Sequence, residues 1–197
     1  MENRFARVLL VFSVVMVLFL AAGRANAAGP TDFLAMAPSS DYAFAYLDVA
    51  KIRNSKLFTD LKPALLDGPA SAGLSAIQLM TGVHLLNDID AVAVSGRAGP
   101  PPGLCAYFVG RWDQERLKTL LAVNPSYTET TVAARTIISF MDQRRGSTNY
   151  LCFLKKDLVV VGNKESVEAV VDLAAGKGAS MAASDRVKDL LTELGAN

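Results

Sequence analysis

Short apolar runs joined by tight turns constrain the fold of this chain more than any other feature. Residues 42–49 alternate, with Tyr42, Phe44 and Tyr46 on one side and Ala43, Ala45, Leu47 and Val49 on the other, as a strand does. Residues 89–94 and 104–109 read as a hairpin around the proline-rich loop Gly99-Pro-Pro-Pro-Gly103, a stiff turn without a P-x-x-P frame. Residues 127–132 and 135–141 flank a turn at Ala133-Ala134. Residues 150–154 and 158–161 flank Lys155-Lys156-Asp157. Turns this short join antiparallel neighbours, because a parallel return needs a dozen or more residues.

Helical stripes fill the remaining stretches. Ser55 is placed to cap a helix carrying Leu57, Phe58, Leu61 and Leu65, with Pro63 inside it and Gly68-Pro69 ending it. A second helix over 71–80 would turn Leu74, Ile77 and Met80 inward and close at Gly82. Further helices are predicted near 113–123, 164–175 and 184–194. The resulting order, β-α-α-β-β-α-β-β-β-β-α-α, implies an α+β fold: a mainly antiparallel sheet with helices on one face. Tyr42 to Met141 has the β-α-β-β-α-β order of a split-βαβ, ferredoxin-like arrangement.

One internal echo leaves a duplication open. Val109-Gly110 precedes Asp113 and then Leu117, Leu120 and Leu121. Val161-Gly162 precedes Asn163 and then Val167, Val170 and Val171. The apolar residues fall at the same offsets from each cap. Two related β-β-α units would give this pattern, and so would any two capped strand-to-helix joints.

Residues 1–27 read as a secretory signal peptide. Arg4 and Arg7 precede an apolar run from Val8 to Ala22, and Ala25-Asn26-Ala27 has the small-residue form of a cleavage site. The run is about 15 residues, against roughly 20 for a membrane-spanning helix. Cleavage is expected to leave 28–197 as a single domain, exported to the periplasm or the outside of a bacterial cell. No later segment has the run of apolar residues needed to span a bilayer. The sole N-x-S/T triplet, Asn124-Pro125-Ser126, carries the forbidden proline. Losing Arg4, Arg7, Arg24 and Glu2 with the leader takes the formal charge from +1 to −1. A chain so nearly neutral has no broad electrostatic attraction for nucleic acid or an anionic membrane.

Cys105 and Cys152 are the only cysteines. In an oxidising compartment an even pair is a disulfide candidate, and closing that loop would stabilise by about 4 kcal/mol. Two buried inert thiols are the other reading, and a reactive pair a third.

The order Phe44-Ala-Tyr-Leu-Asp-Val-Ala-Lys-Ile52, helix, Thr81-Gly82-Val83, Asn87-Asp88-Ile89-Asp90, then Val109-Gly110-Arg111-Trp112-Asp113 and Leu158-Val-Val-Val-Gly162, resembles exported bacterial α+β proteins of unknown function. The resemblance implies an exported α+β domain and carries no site residues.

Motifs for chemistry are sparse. His84, the sole histidine, stands near Asn87, Asp88 and Asp90. It is either a base with a carboxylate partner or a loop residue after a helix cap. One histidine and two separated cysteines do not make a structural zinc site, and no cofactor is implied. Gly176-Lys177-Gly178 lacks the earlier glycine of a phosphate loop and follows a helix instead of opening one. Arg111, Trp112, Arg144, Arg145, Lys155 and Lys156 form a candidate interaction patch from neighbouring turns. These features favour a non-catalytic binding protein acting on another envelope protein or on its own kind. A thiol-redox protein or enzyme using Cys105 and Cys152 and a small-molecule carrier are the alternatives.

Overall fold

The computed structural model describes residues 29–68, 71–97, 102–143 and 146–193. The leader at 1–27, Arg144 and Arg145, and residues 99–101 of the proline loop lie outside them. Seven strands form one sheet: β1 (Ala43–Asp48), β2 (Ile89–Arg97), β3 (Gly103–Gly110), β4 (Thr128–Val132), β5 (Arg135–Asp142), β6 (Ser147–Lys155) and β7 (Leu158–Gly162). Their order is β1-β2-β3-β7-β6-β5-β4, and every neighbouring pair is antiparallel. This is the α+β fold that the turn pattern implies.

The strand order is not that of a split βαβ. Strand β1 pairs directly with its successor β2, so no third strand fits between them, and β4 lies at the far edge. Four helices connect β1 to β2: α2 (Val49–Arg53), α3 (Lys56–Asp67), α4 (Ser71–Thr81) and α5 (Leu85–Asp88). Arg53 holds the two ends of this excursion together. Its guanidinium donates to the carbonyls of Asn87 and Ile89 and to the Asp90 carboxylate at 3.1 Å. The chain therefore re-enters the sheet beside the strand it left.

Strand β7 is the middle strand, and Leu158, Val159 and Val160 are all buried. A strand buried on consecutive residues needs cover on both faces. Helices accordingly lie on two faces, where one was expected. On the first face, Ala91, Ala93, Cys105, Tyr107, Cys152, Leu158 and Val160 pack with Val167, Val170 and Val171 of α7 (Lys164–Ala174). Phe33 of α1 (Pro30–Met36) joins this core, 5.5 Å from the Tyr46 ring and 6.1 Å from Tyr107. On the second face, Ile138, Leu151 and Val159 meet Trp112, Tyr127, Phe153 and Leu121 of α6 (Gln114–Ala122). A smaller cluster joins Leu34, Ala37 and Met181 to Val187 and Leu191 of α8 (Asp185–Glu193).

The echoed units do not superpose. Rotating the β6-β7 hairpin onto β2-β3 in the sheet plane leaves α6 and α7 on opposite faces. The parity of the strands explains this. Val109 packs on the first core and Val161 on the second, so the shared Val-Gly exit leaves the sheet from opposite pleats.

Helix α4 also departs from expectation. Ile77 and Met80 are exposed, and α4 packs chiefly against α3, α5 and α6. Pro63 lies inside α3.

Candidate functional site

The candidate site is built at the exit from β3. Gly110 ends that strand where a Cβ would collide with the Asp88 carbonyl. Its N–H donates to the Asp157 carbonyl at 2.9 Å, and the Arg111 N–H donates to the Asp88 carbonyl at 2.9 Å. The next residues grip the β6–β7 turn. Trp112 Nε1 donates to the Asp157 carbonyl at 3.0 Å, and Gln114 Nε2 to the Lys155 carbonyl at 3.2 Å. Asp113 caps α6 by accepting the Arg116 N–H at 3.0 Å. The Trp112 ring meets Phe108 edge-on at 6.5 Å.

These contacts frame an open groove of about 630 Å³ lined by Trp112, Asp113, Gln114, Glu115, Phe153, Lys155 and Lys156. Trp112 and the two lysines of the sequence-defined patch are thus brought together from β3–α6 and β6–β7. Arg111 is engaged elsewhere. Its guanidinium binds the Asp88 carboxylate at 2.9 Å and the Asn87 carbonyl at 2.6 Å. Arg144 and Arg145 lie outside the described residues. Asp142 and Ser147, which bracket them, stand at the opposite end of β6 from Lys155.

Gln114 and Phe153 are groove residues that the sequence reading did not name. Phe153 was legible by parity, because strand alternation turns it away from buried Cys152. Gln114 carried no signal, since its side chain acts only through the distant turn.

Cys105 and Cys152 are both free and fully buried, so the candidate disulfide is not formed. Geometry gives the reason. Cys105 pairs with Gly162 and Cys152 with Val160, on strands that flank β7. With strands about 4.8 Å apart, the two Cα atoms are roughly 10 Å or more from each other. A disulfide reaches about 7 Å. Burial pushes the Cys105 thiol up to about 12 and the Cys152 thiol up to about 11, which suppresses the nucleophilic thiolate.

A buried polar chain adjoins Cys105. Ser95 Oγ donates to Asp41 Oδ2 at 2.6 Å and lies 3.0 Å from the Tyr107 hydroxyl. Desolvation raises the Tyr107 phenol well above its ordinary value. The chain ties the segment before β1 to the sheet interior. Ser95 falls on the buried parity of β2, with Ala91 and Ala93, so its burial was readable from alternation.

His84 does not pair its imidazole with Asp88. The Asp88 carboxylate accepts the His84 backbone N–H at 2.8 Å and the Arg111 guanidinium. That backbone hydrogen bond, followed by Arg111, holds the Asp88 carboxyl below its usual range, against some desolvation. Asp88 therefore serves the turn. Gly176 and Gly178 adopt positive φ after α7, and Lys177 pairs with Asp172 at 3.4 Å, as expected of a helix end. No cluster of three or more metal-ligating side chains occurs among the described residues. No described helix is long and apolar enough to cross a membrane. No family model, curated protein or solved structure matches this chain.

Proposed function

We propose that this chain is an exported, non-catalytic binding protein of the bacterial envelope that engages a partner protein through the Trp112 groove. The observation that carries this reading is the convergence of Trp112, Phe153, Lys155 and Lys156 on one surface. Tryptophan and phenylalanine are enriched at contact surfaces, and the polar residues around them suit a solvated rim. The export step rests on the leader alone. Buried thiols weigh against the redox alternative, and a groove open to solvent weighs against a carrier that encloses its ligand.

The test is capture of crosslinked partners from cells expressing the full chain. Trp112→Ala and Phe153→Ser should each remove a partner that the unaltered chain retains, with circular dichroism unchanged. Retention of every partner by both variants would refute the groove. Mass spectrometry of the recovered protein should show an N-terminus at Ala28, and a retained initiator Met would refute cleavage.

Association with a second copy is the other reading, favoured by α3 and α4. Leu57, Leu79 and Met80 are more than half exposed, and α4 contains no charged residue. Light scattering across a concentration series separates the two readings: a monomer throughout would eliminate self-association.

A further inference from the structure

We infer that β4 is a self-association edge, on which a second copy of this chain adds its own β4 antiparallel and joins the two sheets into one. This edge is separate from the Trp112 groove and from the α3–α4 surface. Strands β1 and β4 end the sheet on either side. Four of the five β4 residues are exposed, against one of the six in β1. Phe33 of α1 packs beside Tyr46 of β1, so the segment before that strand covers part of it. Proteins commonly protect an open edge with a bulge, a proline or a lysine. Strand β4 has none of these: its register with β5 is unbroken, and its one charged residue is Glu129.

The turn fixes which groups the edge presents. Ala133 and Ala134 are both at positive φ, so the β4–β5 connection is a two-residue type I′ turn. Such a turn is closed by a hydrogen-bonded pair, here Val132 and Arg135. Bonded pairs alternate, so Thr130 and Thr128 also turn their main-chain groups toward β5. Glu129 and Thr131 turn theirs outward. No hydrogen bond to those outward groups occurs among the described residues. Glu129 and Thr131 flank Thr130, and a twofold axis at Thr130 sets Glu129 of each copy opposite Thr131 of the other. The outward N–H and C=O groups of both residues are then paired by the same patch on each chain. The side chains select a second copy in this register. Thr130 meets its own image, and threonine pairs are favourable across antiparallel strands. The two Glu129 carboxylates lie diagonal to each other, whereas an axis at Glu129 would set them face to face. Five residues a side is far fewer than the roughly 20–30 of a standard interface, so the dimer is weak and reversible.

Disulfide trapping reads this register. Thr130→Cys brings two Cα atoms to about 4.5 Å across the axis, within disulfide reach. Glu129→Cys and Thr131→Cys are each roughly 8 Å from their own images, beyond that reach. Cys105 and Cys152 are buried and do not compete. The variants are made in the full chain, and the protein recovered from cells is concentrated and exposed to oxidised glutathione. Thr130→Cys should form covalent dimer at least tenfold faster than either neighbour. Thr131→Pro removes an outward N–H and no bond to β5. Added to Thr130→Cys, it should lower the rate to that of the neighbours with the urea midpoint retained. Equal rates at the three positions would overturn the inference, since random collision gives that result. Absence of covalent dimer from Thr130→Cys would overturn it as well, leaving β4 bare or open to a foreign strand. Undiminished trapping in a folded Thr131→Pro chain would do the same. Should that variant fail to fold, the comparison of the three thiols decides alone. None of these outcomes bears on the Trp112 groove.

Discussion

Leu117, Leu120 and Leu121 of α6 stand at the same offsets from Asp113 as Val167, Val170 and Val171 of α7 from Asn163. The valines are at most 1% exposed, whereas the leucines are only half-buried. A helical stripe therefore names the face that turns inward and leaves open how deeply it is covered. Coverage is set by what lies beneath. Helix α7 rests on the main core around Tyr107, Cys152 and Val160. Helix α6 lies over a smaller cluster, and its first turn is occupied in holding the β6–β7 turn. The less buried joint is the one that carries the groove. The two joints agree at their glycines. A Cβ on Gly110 would strike the Asp88 carbonyl, and one on Gly162 the Leu104 carbonyl. The echoed Val-Gly pair records a close backbone approach at both strand ends.

The strongest way to break this comparison is to place a charge at equivalent positions. Val170→Asp should abolish cooperative folding or destabilise by at least about 4 kcal/mol, because the carboxylate has no partner in the core. Leu120→Asp should lose only about 1 kcal/mol. Urea denaturation gives both numbers, and equal losses would show that the joints do not differ in depth. The glycines should behave alike. Gly110→Ala and Gly162→Ala are each expected to lose roughly 1–3 kcal/mol through forced backbone shifts. A neutral result at either would remove the close approach as the reason for that residue.

A turn outside both joints provides a control. The two-residue connection of β4 to β5 places Ala133 and Ala134 at positive φ, where glycine and asparagine are favoured. Ala133 packs on the core, and Ala134 is exposed. Ala134→Gly should therefore raise stability by about 0.5–1 kcal/mol, measured as a shift in urea midpoint. An unchanged or lower midpoint would deny strain at that turn.

The smallest expected effect is at Asp88, which belongs to the α6 joint and has no counterpart at α7. Its pKa is lowered on folding, so its contribution is present above the unfolded carboxyl pKa and lost as pH falls through the folded value. Asp88→Asn should be less stable at neutral pH by a few tenths of a kcal/mol, as suits an exposed ion pair. The difference should close in acid. A gap that persists at low pH would assign the effect to something other than the carboxylate charge.

Much of the fold was legible because strands and turns are local. The Ala133-Ala134 turn, the β6–β7 hairpin and the α7 stripe follow from residues close in sequence. The strand order was not, because it depends on β1 pairing with β2 across the helical excursion and on β3 pairing with β7 across three intervening strands. The exposure of Ile77 and Met80 was hidden for a related reason: a stripe does not reveal that the helix rests on other helices. In the candidate site, Trp112, Lys155 and Lys156 stood out as residue types. Their convergence depended on β3 and β7 pairing, and Arg111 left the patch because Asp88 folds against it.

The single strand between the two sulfurs has a consequence for how this protein can be made. Its native state holds both thiols uncrosslinked, so folding requires no thiol oxidation. The same tertiary structure is accessible under reducing and oxidising conditions. Protein made in a reducing compartment and protein made in an oxidising one should therefore unfold at the same urea midpoint.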